Sequence, residues 1–214
     1  GLFPNTNWKK NNLGRGWVLG ETLITGIGQG YTQTTPLQLC LMTAQIANGG
    51  YKIKPKIIVN DDPLTLEDAK NFMELQSLQK PNTRLFSDPK NIKIVQEAMF
   101  SSTNEQFGTS YRSRIDDPKY QFAGKTGTAQ VKRISKRERE LDLKLEQIPY
   151  KDRDHALYVA YGPYKNPRYA LSIIVEHGGS GSKAAAPMAK ELFKLIIDRD
   201  ELRDKQSNFE NINI

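Results

Sequence analysis

The chain has 214 residues, 31 of them Lys or Arg against 24 Asp or Glu, for a formal net charge of +7. That length suits one main core, and 37% apolar with 26% charged residues excludes a disordered, fibrous or collagen-like chain. The apolar runs fall far short of the roughly 18 residues that cross a bilayer, and no basic-then-apolar leader opens the sequence, so no membrane or targeting segment is expected within it.

The single cysteine, Cys40, excludes an internal disulfide and a multi-cysteine zinc site. The positive charge would suit an acidic polymer, but it is dispersed. The densest block, 132–154, holds eight basic and six acidic residues and reads as a solvated mixed-sign segment, so a nucleic-acid-binding module is the lesser reading.

Along the chain, residues 1–25 lack a period and read as irregular surface chain. Gly26-Ile27-Gly28-Gln29-Gly30-Tyr31 then permits positive φ or a close backbone approach. A helix follows with complete punctuation: Thr35 as cap, Pro36 in the first position, Gln38 completing a capping box, and Asn48-Gly49-Gly50 as the stop. Its apolar residues, among them Leu37, Leu41, Met42 and Ile46, predict burial on most sides. Thr65 with Asp68 opens a weaker helix ending before Pro81, and Asp88-Pro89 opens another with Ile92, Val95 and Met99 on one face. A strand is expected over 120–131 and an exposed helix over 135–147, with Glu140 and Lys144 as an i,i+4 pair worth about 0.3 kcal/mol. Apolar runs over 155–161 and 169–177, joined through Gly162-Pro163, predict an antiparallel hairpin. A helix over 184–197 should cover the sheet, and the polar tail over 201–214 should fray.

The sharpest local feature is Gly124-Lys125-Thr126-Gly127-Thr128-Ala129. Strand alternation puts Lys125 and Gly127 on one face and Thr126 and Thr128 on the other, unless the strand is an edge whose twist aims them together. At an edge, Gly127 would leave room for a ligand alongside. The Thr128 N–H could then donate to an acyl oxygen, while the lysine and hydroxyls hold a carboxylate.

Context lifts this triplet above accident. Gly26 to Tyr31, Thr35-Pro36-Leu37-Gln38, the Lys-Thr-Gly strand, Asp154-His155-Ala156 and Glu176-His177-Gly178-Gly179 follow one another in the order seen in class B penicillin-binding proteins. Together they resemble the carboxy-terminal half of that family's transpeptidase domain. Gly1-Leu2-Phe3-Pro4, Arg153 to Ala156 and Ala186-Pro187 look most like the cell-elongation branch, penicillin-binding protein 2.

The resemblance implies an α+β domain, an antiparallel sheet with packed helices, with 1–200 as the carboxy-terminal part of a transpeptidase domain and 201–214 as a tail. It implies a D,D-transpeptidase that cross-links peptidoglycan stem peptides ending in D-Ala-D-Ala and is acylated by β-lactams, with no metal or cofactor. Lys125 would orient the S-x-N hydroxyl and the substrate carboxylate. Thr126 and Thr128 would bind that carboxylate, Gly127 belongs to the same substrate strand, and the Thr128 N–H would form half of the oxyanion hole. By the same resemblance the intact parent sits in the inner membrane facing the periplasm, beside a membrane glycan polymerase and shape-maintenance proteins. A non-enzymatic penicillin-recognition or sensor domain is the rival within this fold.

Of the family's three elements, S-x-x-K, S-x-N and K-T-G, only the last aligns. Ser77-Leu78-Gln79-Lys80 and Ser102-Thr103-Asn104 fit the first two patterns in the right order. Ser77, however, closes a helix, and Pro81 disfavours helical geometry at Lys80. Ser87-Asp88-Pro89-Lys90 and Ser180-Gly181-Ser182-Lys183 match the bare S-x-x-K pattern as well. This chain alone is therefore expected to be inactive. His155 and His177, each at a strand end, read as hydrogen-bonded rather than catalytic. Finally, 169–177 is expected to leave an open sheet edge, so that the chain either self-associates through it or stays a marginally stable monomer whose helix over 184–197 shifts to cover the gap.

Overall fold

The computed structural model of the chain describes residues 1–55, 83–132, 140 and 143–212, with side chains as far as Leu202. Its centre is an antiparallel sheet of three strands in the order β1 (Ala123–Ala129), β2 (His155–Gly162), β3 (Tyr169–Val175). The hairpin therefore forms as its alternating residues predict, and the strand expected over 120–131 shortens at both ends.

The amino-terminal region departs from expectation. Two helices, α1 (Thr6–Leu13) and α2 (Leu19–Gly26), occupy what reads as irregular chain. Their signals are polar rather than periodic. The Asn5 side chain accepts from the Trp8 N–H, Gly14 ends α1 at φ 63°, and Glu21 reaches back to the Val18 N–H. Lys9 is buried because it forms an ion pair with Glu21 and donates to the Gly16 carbonyl at 2.7 Å, so the cation that joins the two helices is fully partnered.

α3 (Pro36–Ala47) carries the predicted capping box, with Thr35 accepting from the Gln38 N–H at 3.2 Å and Gln38 accepting from the Thr35 N–H at 3.0 Å. Its predicted all-round burial does not hold. Only Thr43 is fully buried, while Leu37 and Met42 remain about half exposed. α4 (Pro89–Asn104) is capped by Asp88 and buries Ile92, Met99 and Thr103. Val95, expected on the same face, is exposed at 40% because it lines an open apolar cleft between α3 and α4.

The helix opened by Thr65 lies outside the described residues, as does most of 135–147. The described end of the latter is a 3₁₀ turn, Leu145–Gln147, and Lys144 is extended, so Glu140 and Lys144 do not form the helical pair expected. α5 (Ala186–Ile212) follows a π turn, Gly181–Ala185, and its backbone stays helical well into the tail expected to fray. Ion pairs of Lys119 with Asp198 and Glu201, and of Arg168 with Asp200, tie that extension to the body.

α5 covers one face of the sheet. Ala185, Ala186 and Ala189 let it approach Tyr158 and Ala160, and Phe193 stacks on Phe122 with ring centroids 4.9 Å apart. Complete burial of Phe193 is worth about 2–3 kcal/mol. α3 and α4 cover the opposite face, where Met99, Ala123 and Tyr161 form a second cluster with Ile46 and Phe100. No helix among the described residues is long and apolar enough to cross a membrane.

Candidate functional site

β1 pairs only with β2 among the described residues, so it is an edge, as the chemically useful reading requires. Its register sets Lys125 opposite Val159, Thr126 opposite Tyr158, Gly127 opposite Leu157 and Thr128 opposite Ala156. Tyr158 belongs to the core under α5, and Val159 packs with the cluster under α3 and α4. Lys125 and Thr126 thus root on opposite faces, as alternation dictates. The open edge lets them meet: Lys125 Nζ donates to the Thr126 carbonyl at 2.9 Å and lies 3.2 Å from Thr126 Oγ1.

The outward-facing backbone groups can be identified from their bonds. Gln29 Nε2 donates to the Thr128 carbonyl at 2.8 Å, and Lys125 occupies that of Thr126. In an antiparallel strand the N–H and C=O of one residue point to the same side, so Thr126 and Thr128 turn both groups away from β2. The Thr128 N–H is therefore presented at the edge, next to exposed Lys125 and Thr128 side chains.

Gly127 is packed more closely than a ligand slot would be. A methyl group there would lie 3.2 Å from Leu157 Cβ, and the backbone of Gly181 lies against the carbonyls of Gly127 and Leu157, leaving no room for a side chain at residue 181. The π turn thereby brings Ser182 and Lys183 close to β1. Gly124, at the start of the motif, makes room for the Tyr158 hydroxyl.

Thr126 has a partner not apparent from the motif. Its hydroxyl lies 3.2 Å from that of Thr109, which lies 3.2 Å from that of Ser102. A hydroxyl chain therefore runs from the last turn of α4 to Lys125. Gly108 makes it possible by passing directly beneath the Ser101 and Ser102 carbonyls, where no side chain fits. Thr109 stands between two clefts. One, of about 650 Å³, is apolar, lies between α3 and α4, and reaches Lys125 past Met42, Ile94, Val95 and Phe107. The other, of about 360 Å³, is polar and includes Arg112, Ser182 and Lys183.

Beneath this chain the Tyr158 hydroxyl is buried 2.9 Å from Thr103 and 3.1 Å from Ser110. Burial pushes its ionisation up, against the smaller opposing effect of those two hydrogen bonds. Ser102-Thr103-Asn104 is thus structural in part: Thr103 belongs to the buried network, and Asn104 donates to the Phe100 and Phe122 carbonyls.

None of the S-x-x-K matches that the structure describes forms a nucleophile–lysine pair. Ser180 bonds Ser182, and no hydrogen bond joins it to the Lys183 side chain; Lys90 gives its backbone N–H to Asp88, and no hydrogen bond joins its side chain to Ser87. Ser77 lies outside the described residues. The two histidines bind each other and the backbone: the His177 N–H donates to His155 Nδ1, and His177 Nδ1 meets the Arg153 carbonyl, both at 2.9 Å. Among the described residues no cluster of three or more His, Cys, Asp or Glu could hold a metal.

Sequence reasoning finds the Lys-Thr-Gly strand but misses Gln29 and Thr109. Both lie in glycine-marked loops, Gly28-Gln29-Gly30 and Gly108-Thr109, and those glycines were the available signal.

The sequence profile of the penicillin-binding protein transpeptidase domain matches residues 3–194. The peptidoglycan D,D-transpeptidase MrdA of Salmonella typhimurium is 33% identical over 200 residues, covering 92% of this chain and 30% of that protein. Its counterpart in Acinetobacter baumannii is 36% identical over 195 residues, covering 90% of this chain and 27% of that protein. The chain thus spans about a third of the length of these relatives. Among solved structures, Pseudomonas aeruginosa PBP2 in complex with WCK 5153 superposes with a TM-score of 0.67 at 34% identity, covering 91% of this chain and 37% of that one. Helicobacter pylori PBP2, in its complex with MreC, gives 0.65 at 31% identity, covering 91% and 31%. The chain belongs to the penicillin-binding protein transpeptidase family, as its Lys-Thr-Gly edge strand and the order of its flanking segments indicate.

Proposed function

We propose that this chain forms the Lys-Thr-Gly side of a D,D-transpeptidase active site within a longer enzyme of cell-wall elongation, with 1–200 as part of the transpeptidase domain. The observation that carries this reading is the open edge of β1, where Lys125 meets Thr126 and the N–H and C=O of Thr128 face outward.

A stem peptide ending in D-Ala-D-Ala would lie along this edge with its terminal carboxylate on Lys125, Thr126 and Thr128. The scissile carbonyl oxygen would point at the Thr128 N–H. Attack by a serine hydroxyl from an S-x-x-K segment elsewhere in the parent forms an ester; the terminal D-Ala leaves as its amine takes up a proton. A second stem peptide's amine then displaces the serine. Negative charge on the carbonyl oxygen grows in each transition state, which is where a fixed N–H donor stabilises most. A β-lactam would enter by the same route, its ring amide taking the place of the scissile bond and its carboxylate that of D-Ala.

The parent's partners would be stem peptides, a membrane glycan polymerase and a shape-maintenance protein, at the periplasmic side of the inner membrane. The Helicobacter pylori relative solved with MreC supports the third of these.

In the full-length enzyme, Lys125→Ala and Thr128→Val should each slow acylation by a fluorescent penicillin by roughly 10²-fold with the fold intact. Unchanged rates in both would reduce the motif to an ordinary strand. The 214-residue chain alone should gain no drug mass on intact-mass analysis. An adduct mapped to Ser77 or any other serine would place the nucleophile here.

A further inference from the structure

Gln29 and Thr128 are 99 residues apart in sequence, yet the Gln29 side-chain amide donates to the Thr128 carbonyl at 2.8 Å. The contact is built rather than incidental. Gly28 and Gly30 flank Gln29 with φ of 75° and 76°, a conformation that turns the chain back sharply on both sides of it. The Gln29 N–H donates to the Ile24 carbonyl at the end of α2, and Tyr31 packs its ring 5.3 Å from that of Trp8 in α1. The loop is thus held at its base by two helices, and its one long polar side chain is directed at the edge of β1.

The position of the bond matters. Ladder bonds to β2 hold the inward-facing residues of β1, but the Thr128 N–H and C=O face away from β2, and the residue before them is glycine. The pairing with β2 gives these two groups no partner, and the Gln29 amide bonds the carbonyl from outside the sheet. We propose that Gln29 is a positioning residue for the oxyanion edge: by holding the Thr128 carbonyl, it fixes the strand conformation at Thr128 and so the direction of the neighbouring N–H. The carbonyl has a second lone pair, so a peptide-like ligand paired along the edge can still bond there. The inference rests on the function proposed above for that N–H.

The test is the rate of acylation by a fluorescent penicillin in the full-length enzyme, comparing Gln29→Leu and Gln29→Glu with the unaltered protein. Both variants should lower the acylation rate constant about tenfold at neutral pH while leaving the dissociation constant of the non-covalent complex within about twofold, because the lost feature is geometry at the reacting carbonyl. The two should then part with pH. The carboxylate introduced by Gln29→Glu only accepts hydrogen bonds when ionised and repels the Thr128 carbonyl, whereas its protonated form donates as Gln29 does. The rate of Gln29→Glu relative to the unaltered enzyme should recover as pH falls below about 5, while that of Gln29→Leu stays flat. A merely structural role would give no such recovery. Rates equal to the unaltered enzyme, parallel flat profiles for both variants, or faster acylation on losing Gln29 would each overturn the inference while leaving the function standing. An unaltered enzyme that no penicillin acylates would overturn both.

Discussion

Thr109 and Thr126 meet hydroxyl to hydroxyl at 3.2 Å, joining the loop after α4 to the edge strand. Lys125 Nζ lies 3.2 Å from the same Thr126 oxygen, so Thr109 and Lys125 share it as a hydrogen-bond partner. Only one of the two hydroxyls donates in that bond, and Ser102 on the far side of Thr109 continues the chain into α4.

Thr109→Val in the full-length enzyme should therefore slow acylation about fivefold, the equivalent of one neutral hydrogen bond of about 1 kcal/mol, and Thr109→Ser should restore most of the loss. Stopped-flow acylation checks this. Equal rates for Val and Ser would remove Thr109 from the account of the site.

Two buried tyrosines on opposite faces of β2 should respond oppositely to loss of the hydroxyl. Tyr158 is bonded to Thr103 and Ser110, while the Tyr161 hydroxyl is buried with no hydrogen-bond partner among the described residues. Tyr158→Phe removes two buried hydrogen bonds, although Thr103 and Ser110 stay bonded to each other and Ser110 to the Ser102 carbonyl, and should cost about 1–2 kcal/mol, whereas Tyr161→Phe removes an unsatisfied group and should be neutral or stabilising. Urea denaturation of the chain decides it. Burial raises both phenols, so the folded form loses stability as pH climbs through the ordinary tyrosine value of about 10, and each Phe variant should flatten that alkaline limb.

Legibility in the sequence follows the range of the interactions. The α3 cap is local, residues 35 to 38 satisfying one another, and it forms as read. The hairpin is likewise written in alternation and a six-residue turn. α1 and α2 escape because what stabilises them is a cap, a closing glycine and one ion pair rather than an apolar stripe. The length of α5 escapes because it depends on Lys119 and Arg168, tens of residues away. At the site, Lys125 and Thr128 are adjacent in a recognisable string, but Gln29 and Thr109 reach them only through the fold.

The Lys119 anchor predicts an acid sensitivity. Asp198 is held below its ordinary carboxylate range, first by the Tyr120 hydroxyl it accepts from and then by Lys119. A carboxyl depressed on folding adds stability above its unfolded value of about 4, and that contribution disappears as pH falls through the folded value. Glu21, lowered first by Lys9 and then by the Val18 N–H, acts in the same direction. Thermal melts between pH 7 and pH 2 should show a shallower acid limb for Asp198→Asn than for the unaltered chain, with the two converging at the acid end. Parallel curves would mean that the exposed pair is screened to insignificance.

The opposite side of the sheet makes the last prediction. β3 has β2 on one side and no strand on the other among the described residues, and all seven of its residues are only half-buried. α3 lies over its face, with Cys40 Sγ donating to the Ala170 carbonyl at 3.4 Å, yet Leu37 and Met42 of that helix stay exposed. α5 is not free to slide over the gap, because Phe193 is locked between Phe122 and the alanine-lined approach to Tyr158. An uncovered strand edge beside exposed apolar side chains favours pairing with another copy. The 214-residue chain should therefore self-associate with rising concentration in light scattering, and amides in 169–175 should gain hydrogen-exchange protection as it does so. A strictly monomeric chain with those amides already protected at low concentration would show that the edge is covered within one molecule, and the association surface would have to be abandoned.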